Sequence, residues 1–238
     1  MKSNKRSINK IIRNSILFII SIGILLCSYK LYVNIGHARF ESKEIDIYSY
    51  NNNANVNYTV SLNPNNLYNT NSLDGGKIYI SSLVDFIDTN FIYEYKGDTN
   101  TDIKGNYIIT AKVQGFTIQD KSVITIWEKD FPIVSNKYFN SADNTFSITE
   151  NIKLNLSEYN AFVEEIIETT KINCDTSLTL LMDINLKGTT NKGSFEENIT
   201  PSIDIPLNMA MFQITTNNVE KPGAIEETIQ VQLPVDKN

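Results

Sequence analysis

The chain has 238 residues, of which 41% are hydrophobic and 20% are charged, so it is long enough for one large domain or two small ones. One His and two Cys exclude a zinc site, a Cys–His dyad, a His-based triad and a disulfide-rich scaffold. Residues 1–39 hold seven Lys or Arg and no acidic residue, which leaves 14 basic against 27 acidic residues, a net charge of −13, for residues 40–238. Because so acidic a surface repels phosphate backbones, we expect no nucleic-acid partner.

Residues 16–33 are predicted to form a single transmembrane helix. The run from Ile16 to Tyr29 is uncharged and almost wholly apolar. Extending it to Val33 gives a helix of about 27 Å, close to the thickness of the hydrocarbon core. We therefore expect an integral, single-pass membrane protein.

The basic residues ahead of this helix predict its orientation. Five positive charges and no acidic residue precede the span, so residues 1–15 are expected in the cytoplasm. Residues 34–43 then form a juxtamembrane stalk, and everything after them lies outside the cell membrane. A cleaved signal peptide with a site at Gly36-His37-Ala38, or a lipoprotein signal at Cys27, are the alternatives. We expect His37 to be a solvated stalk residue.

Residues 44–238 are predicted to form an antiparallel β-sandwich of about ten strands, so the fold class is mainly β. Apolar and polar residues alternate repeatedly, with the longest run at Leu178–Leu186, and Asn-, Gly- and Pro-rich joints such as Asp74-Gly75-Gly76 separate the runs. One face of each sheet should be buried and the other wet. The predicted strands are residues 44–50, 56–62, 87–96, 106–118, 122–129, 145–155, 178–186, 199–207, 208–215 and 225–233.

One segment predicts an amphipathic helix that packs on the sandwich. Residues 158–169 carry apolar side chains at helical spacing, with Phe162 and Ile166 at the centre of the apolar stripe. Ser157 is the expected N-cap. The helix could also mark a subdivision of the β region near residues 156–170.

Short motifs along the chain follow an order that resembles a known family. They are Tyr58-Thr59-Val60-Ser61-Leu62, Asn66-Leu67-Tyr68, Tyr79-Ile80-Ser81-Ser82-Leu83-Val84-Asp85 and Phe91-Ile92-Tyr93.

With the N-terminal span, these motifs resemble a family of uncharacterised, membrane-anchored bacterial and archaeal proteins, a domain of unknown function, over most of residues 15–215. The resemblance implies an extracytoplasmic β-rich domain and a gene position near signal peptidases, and it implies no catalytic residues. Members often continue into a second transmembrane helix and a cytoplasmic tail, a point that the sequence up to Asn238 leaves open.

No catalytic residue can be assigned from the sequence. Ser81 or Ser82 near Lys77 brings to mind the Ser–Lys pair of a peptidase, but Ser is common at strands and turns. Pairs of carboxylates arise by chance among 27 acidic residues, and a glycosidase needs a defined spatial separation. The carboxylate pairs considered are Asp85 with Asp88 and Glu196 with Glu197.

No metal or cofactor site is assigned either. Asp98–Asp102 places oxygen ligands at alternate positions, but Ile103 stands where a calcium loop requires Gly, so a hydrophilic turn is expected. Trp127 is interpreted as a core or edge-strand aromatic, with a carbohydrate platform as the alternative. Cys174 is expected to be a half-buried free thiol.

Asn is abundant, but the codon usage of an AT-rich genome accounts for that, so we give Asn no functional weight.

Together these patterns predict a membrane-anchored, extracytoplasmic, non-catalytic β-sandwich of the cell envelope, which acts as an interaction or accessory module. The expected partner is another envelope protein, with no small-molecule cofactor. The alternative is an envelope hydrolase that uses a carboxylate pair. A concave cluster of ionisable side chains would favour the hydrolase, and a free strand edge would favour binding.

Overall fold

A computed structural model describes residues 10–34 and 40–232. The chain divides into two compact units, Met1–Ile45 with Glu227–Asn238, and Asp46–Glu226. The expectations for the basic residues before Lys10, for His37 and for the last six residues fall outside the described residues.

The first unit contains one long helix, α1 (Lys10–Asn34), of 25 residues. Its best window has a mean hydropathy of 2.1 and is fully exposed, so α1 is long and apolar enough to cross a membrane. The predicted apolar helix is confirmed. It begins six residues before Ile16, because no Gly or Pro interrupts that stretch and an established helix extends at little cost.

The rest of the described chain is mainly β, as predicted, and its sheets are antiparallel. Thirteen strands are present in the described residues: β1 (Phe40–Leu62), β2 (Ser72–Asp74), β3 (Ile78–Ile80), β4 (Val84–Gly97), β5 (Asp102–Gln119), β6 (Ser122–Ser141), β7 (Thr145–Leu154), β8 (Asp175–Thr190), β9 (Gly193–Ile199), β10 (Ser202–Pro206), β11 (Met211–Gln213), β12 (Thr215–Asn217) and β13 (Val219–Gln232). A 3-10 turn (Ser81–Leu83) joins β3 to β4, and helix α2 (Leu156–Thr170) joins β7 to β8.

The strands form two large sheets and one small one. The five-stranded sheet has the order β13-β1-β4-β7, with β2 beside β1. The six-stranded sheet has the order β12-β10-β8-β5-β6, with β9 beside β8, and β11 pairs with β3.

The two large sheets of the second unit pack face to face and form the predicted sandwich. Inward residues of β4 and β8, such as Phe91, Tyr93, Leu180 and Met182, are 0% exposed. The alternation that the sequence shows is therefore the alternation between core and outer face.

One side of the sandwich is closed by a link between the sheets. The ring of Tyr50 on β1 stacks on that of Phe195 on β9, with centroids 3.9 Å apart. The Tyr50 hydroxyl donates to Glu197 Oε1 at 2.7 Å, and Lys221 Nζ lies 2.5 Å from Glu197 Oε2. Burial and the contact with Glu197 raise the pKa of Tyr50, which keeps the hydroxyl neutral and donating.

Helix α2 packs against β6, as the apolar stripe predicts. The ring of Phe162 lies edge to face with those of Phe131 and Trp127, at centroid distances of 5.3 and 6.1 Å. Phe162 and Ile166 are only half-buried, however, and Val163 is the residue with 0% exposure. The centre of the buried stripe is thus shifted by one residue.

The N-cap of α2 is Asn155, so the prediction of Ser157 is wrong. The Asn155 side chain accepts a hydrogen bond from the Ser157 backbone N–H at 3.2 Å, and also one from the Ser157 hydroxyl at 2.8 Å. Asn is at least as good a cap as Ser, and the helix begins two residues earlier than predicted. Lys171 ends the helix in the left-handed conformation.

Strand boundaries differ from the prediction where local signals mislead. The predicted strands 44–50 and 56–62 are one strand, because Asn52 points inward, is 0% exposed and accepts a hydrogen bond from Tyr93. The predicted strand 208–215 is instead the separate strands β11 and β12, preceded by Asn208 at a positive φ of 56°. Strand β9 was not predicted.

Candidate functional site

Strand β7 is an unpaired edge of the five-stranded sheet. It has ten residues, contains no Pro or Gly, and pairs with β4 from Lys96↔Thr145 to Ile87↔Leu154 without a register shift. No strand pairs with its other side among the described residues. Its outer backbone groups are therefore open to a further strand, an arrangement that edge strands usually avoid. We call this free side the β7 edge.

The other edges carry the features that block strand addition. Strand β6 has register shifts and Pro132, and α2 packs on its Phe131 and Trp127. Strand β13 contains Pro222-Gly223, and β2 and β12 are three residues long. Strand β9 has seven residues and begins at Gly193 with a φ of 146°. The β7 edge is the longest regular edge among the described residues.

Inward side chains at the β7 edge remain partly accessible. Phe146, Ile148 and Glu150 are half-buried, whereas the inward residues of neighbouring β4, such as Phe91 and Tyr93, are 0% exposed. An added strand would therefore cover part of this apolar surface as well as backbone groups.

Glu150 ties β7 to the other sheet. Lys137 Nζ on β6 lies 2.6 Å from Glu150 Oε1, and the Tyr107 hydroxyl on β5 donates to the same oxygen. Partial burial opposes ionisation, but the hydrogen bonds from Lys137 and Tyr107 and the charge of Lys137 outweigh it and lower the pKa of Glu150. The carboxylate is therefore charged at neutral pH and holds the two strands in place.

A second feature is a polar cleft at the end of the sandwich where β1 finishes, which we call the Asn cleft. Its volume is about 270 Å³, and its apolar lining residues include Phe212 and Leu156, which are 4% and 7% exposed. Four separate chain segments contribute its polar walls, which contain Asn63, Ser81, Asp85, Asn155, Ser157, Asn160 and Asn208.

Hydrogen bonds between segments fix the walls of the Asn cleft. Asn208 N–H donates to Asn160 Oδ1 at 2.8 Å, and Asn63 Nδ2 donates to the Val84 carbonyl at 3.2 Å. The Ser81 hydroxyl donates to the Met209 carbonyl. In contrast, Asp85 makes no hydrogen bond or ion pair with any described residue, so its carboxylate is free to bind a ligand.

The structure brings some of the sequence candidates together but not as catalytic pairs. Ser81 and Asp85 line the Asn cleft, while Lys77 contributes nothing to its lining. Asp88 lies on the outer face of the five-stranded sheet, where it pairs across strands with Thr59 and Lys153.

The second carboxylate pair is also divided. Glu196 is on the outer face with Lys187 at 2.8 Å, and Glu197 points inward to Tyr50. Residues an odd number of positions apart in a strand face opposite sides of the sheet, so neither Asp85 with Asp88 nor Glu196 with Glu197 shares a pocket.

The remaining candidates have structural roles. Asp98 accepts a hydrogen bond from Ser49 N–H at 2.9 Å, which fixes the expected turn between β4 and β5. Trp127 is half-buried against Phe162, which agrees with the interpretation as a core or edge-strand aromatic. Cys174 is a half-buried free thiol, as expected. Within residues 10–34 and 40–232, no group of three His, Cys, Asp or Glu side chains is placed to hold a metal ion.

Sequence reasoning missed Asn63, Asn160 and Asn208, which are three of the seven polar residues that line the Asn cleft. The only signal for Asn63 was the turn sequence Asn63-Pro64-Asn65-Asn66, and the two others lie in a helix and a loop that are far away in sequence.

Comparison with known protein families gives a match to a family of unknown function. No curated protein matches the chain. The model of DUF5305, described as a family of unknown function, matches residues 127–238, a little under half of the chain, from β6 to the C-terminus. The predicted resemblance to a domain-of-unknown-function family is thereby confirmed, and residues 127–238 carry the match to DUF5305.

Proposed function

We propose that this chain is a membrane-anchored, extracytoplasmic binding module of the cell envelope, which pairs its β7 edge with an extended segment of another envelope protein and catalyses no reaction. Helix α1 supports the anchor, since it is long and apolar enough to span a bilayer. The positive charges that precede it support an external position for the β domain.

The β7 edge is the observation that carries the proposal. Ten residues without Pro, Gly or a register shift present a full row of free backbone donors and acceptors. An extended peptide that adds there gains main-chain hydrogen bonds, and its alternate side chains cover half-buried Phe146 and Ile148.

The charge of the domain defines the partner further. Residues 40–238 carry a net charge of −13, so a cationic segment is attracted over distances of the order of the Debye length, about 8 Å at physiological salt. We expect a partner segment with apolar residues at alternate positions and Lys or Arg between them. Raising the salt concentration should then slow its association.

The test uses the full chain in nanodiscs and a display library of ten-residue peptides of that alternating pattern. Selected peptides should protect the backbone amides of Thr145–Asn151 from hydrogen exchange. Thr149→Lys should weaken their binding at least about tenfold, because charged side chains on an edge oppose strand addition.

Asn55→Lys is the matched control. Asn55 pairs with Ile92 and Ile92 pairs with Thr149, so Asn55 lies on the same face of the sheet as Thr149 but on the central strand β1. Equal loss in both variants would show binding to the sheet face and overturn the edge proposal.

Dimerisation of the chain through β7, sensitive to Thr149→Lys, would replace the partner by a second copy. Saturable hydrolysis of peptidoglycan that is abolished by Asp85→Asn or Glu197→Gln would favour the hydrolase instead.

A further inference from the structure

We propose that the Asn cleft is a binding site for a neutral saccharide ring. The proposal is independent of the β7 edge, since it rests on different residues and a different kind of ligand.

The chemistry of the cleft walls selects a neutral, hydrogen-bonding ligand. The walls contain no Lys, Arg or His, and Asp85 is their single charged group. An anionic ligand would therefore meet a carboxylate without a compensating cation. The carboxamides supply both donors and acceptors, and sugar hydroxyl groups need both at closely spaced positions.

Residues that line the cleft keep polar atoms that are not engaged with the protein. Asn63 Nδ2 and Asn160 Oδ1 are engaged with the protein, which leaves the Asn63 Oδ1 acceptor and the Asn160 Nδ2 donors for a ligand. The Asp85 carboxylate, without a partner among the described residues, adds charge-assisted acceptors. The N-terminus of α2 is already capped by Asn155, so the site does not depend on free helix N–H groups.

The apolar residues that line the cleft suit the C–H face of a sugar ring. A pyranose presents hydroxyl groups around its edge and a patch of C–H groups on its face. The cleft lining combines apolar residues with polar ones, which matches that division; the apolar residues are Val84, Leu156, Pro206 and Phe212.

The size of the cleft limits the ligand. Its volume of about 270 Å³ lies just below the range of about 300–1,000 Å³ typical of pockets for drug-sized ligands. One ring, or the terminal ring of an oligosaccharide, is therefore the expected occupant. The inter-segment hydrogen bonds from Asn208 to Asn160 and from Ser81 to Met209 hold the walls in position before a ligand arrives, which reduces the entropy cost of binding.

The experiment is a titration of the full chain in nanodiscs with glucose, galactose and N-acetylglucosamine at millimolar concentration, followed by saturation-transfer NMR. At least one of these sugars should bind saturably. Sorbitol, a linear polyol without a ring, and glucuronate, a sugar anion, should bind at least about tenfold more weakly. An oligosaccharide of the bound sugar then distinguishes a free ring from a chain end.

Asp85→Asn should weaken binding of the sugar at least about tenfold, because it removes charge-assisted hydrogen bonds. The matched control is Asp88→Asn, three residues further along β4 but on the outer face, which should leave binding unchanged. Asp85 is exposed, so the variant should fold, and an unchanged melting temperature checks this.

Three results would overturn the proposal: no saturable binding of any of the three sugars, equal binding of sorbitol, or equal loss in both Asp variants. Tighter binding of a short peptide than of any sugar would assign the cleft to peptide recognition instead. Thr149→Lys, the edge variant, should leave sugar binding intact, so the two proposals can fail separately.

Discussion

Replacing Phe162 by Ala tests how α2 is held to the sandwich. A fully buried Phe→Ala change costs about 3–5 kcal/mol, and half-burial of Phe162 reduces this to about 2 kcal/mol. The lost edge-to-face contacts with Trp127 and Phe131 bring the expected cost to about 3 kcal/mol. Ala favours a helix more than Phe does, so the loss is due to packing and not to helix propensity.

The assay is urea unfolding of the full chain in detergent, followed by fluorescence. Trp127 is the only Trp of the chain and touches Phe162, so its emission reports on this interface directly. The control is Glu165→Ala on the exposed face of α2, which should change stability by less than about 0.5 kcal/mol. A similarly small effect of Phe162→Ala would refute the reasoning, because it would mean that α2 is not anchored through this ring.

Other predictions concern the interior of the sandwich. Because the pKa of Glu150 is lowered in the folded state, the stabilisation from its charged form is complete above the ordinary carboxyl pKa of about 4.5 and is lost as the pH falls through the lowered value. The wild type should therefore lose more stability on acidification below pH 4.5 than Glu150→Gln does, as acid titrations of unfolding will show. Gly105→Ala should cost about 1–3 kcal/mol in urea unfolding, since the new Cβ overlaps the backbone oxygen of Asn185, whereas exposed Lys104→Ala should be neutral. Burial raises the pKa of Tyr50, Tyr79, Tyr93, Tyr95 and Tyr107, so the stability that depends on them should be complete below pH 10 and fall above it as tyrosinate forms. Ionisation of all 12 tyrosines near pH 10 without unfolding, seen by ultraviolet absorbance, would contradict this burial.

Local periodicity explains which parts of the fold were predictable. The alternation at Leu178–Leu186 became the buried side of β8, and the helical stripe around Phe162 became α2, because both patterns depend on neighbours within a few residues. The interruption at Asn51–Asn55 misled the prediction, since Asn52 is polar yet buried. Its amide is satisfied by Tyr93 on the adjacent strand, a partner 41 residues away that periodicity does not reveal.

The candidate sites were less predictable, because each depends on positions that are distant in sequence. Nothing local distinguishes β7 from a central strand, and only the strand order makes it an edge. The Asn cleft joins Asn63 to Asn208 across 145 positions, and the codon-usage argument about abundant Asn gave no reason to single out either residue.

The sequence by itself determined the apolar helix, the acidic β-rich region and the amphipathic α2, because hydrophobic spacing and charge are properties of short stretches of chain. Tertiary structure alone decided that Asp85 lies in a cleft with residues from three other chain segments, that Glu150 is shared by Lys137 and Tyr107, and that no strand among residues 10–34 and 40–232 pairs with the outer side of β7. The physical reason is that strand order and the meeting of loops are fixed by the burial of the whole apolar surface at once, and the polar groups are carried to wherever that packing leaves them.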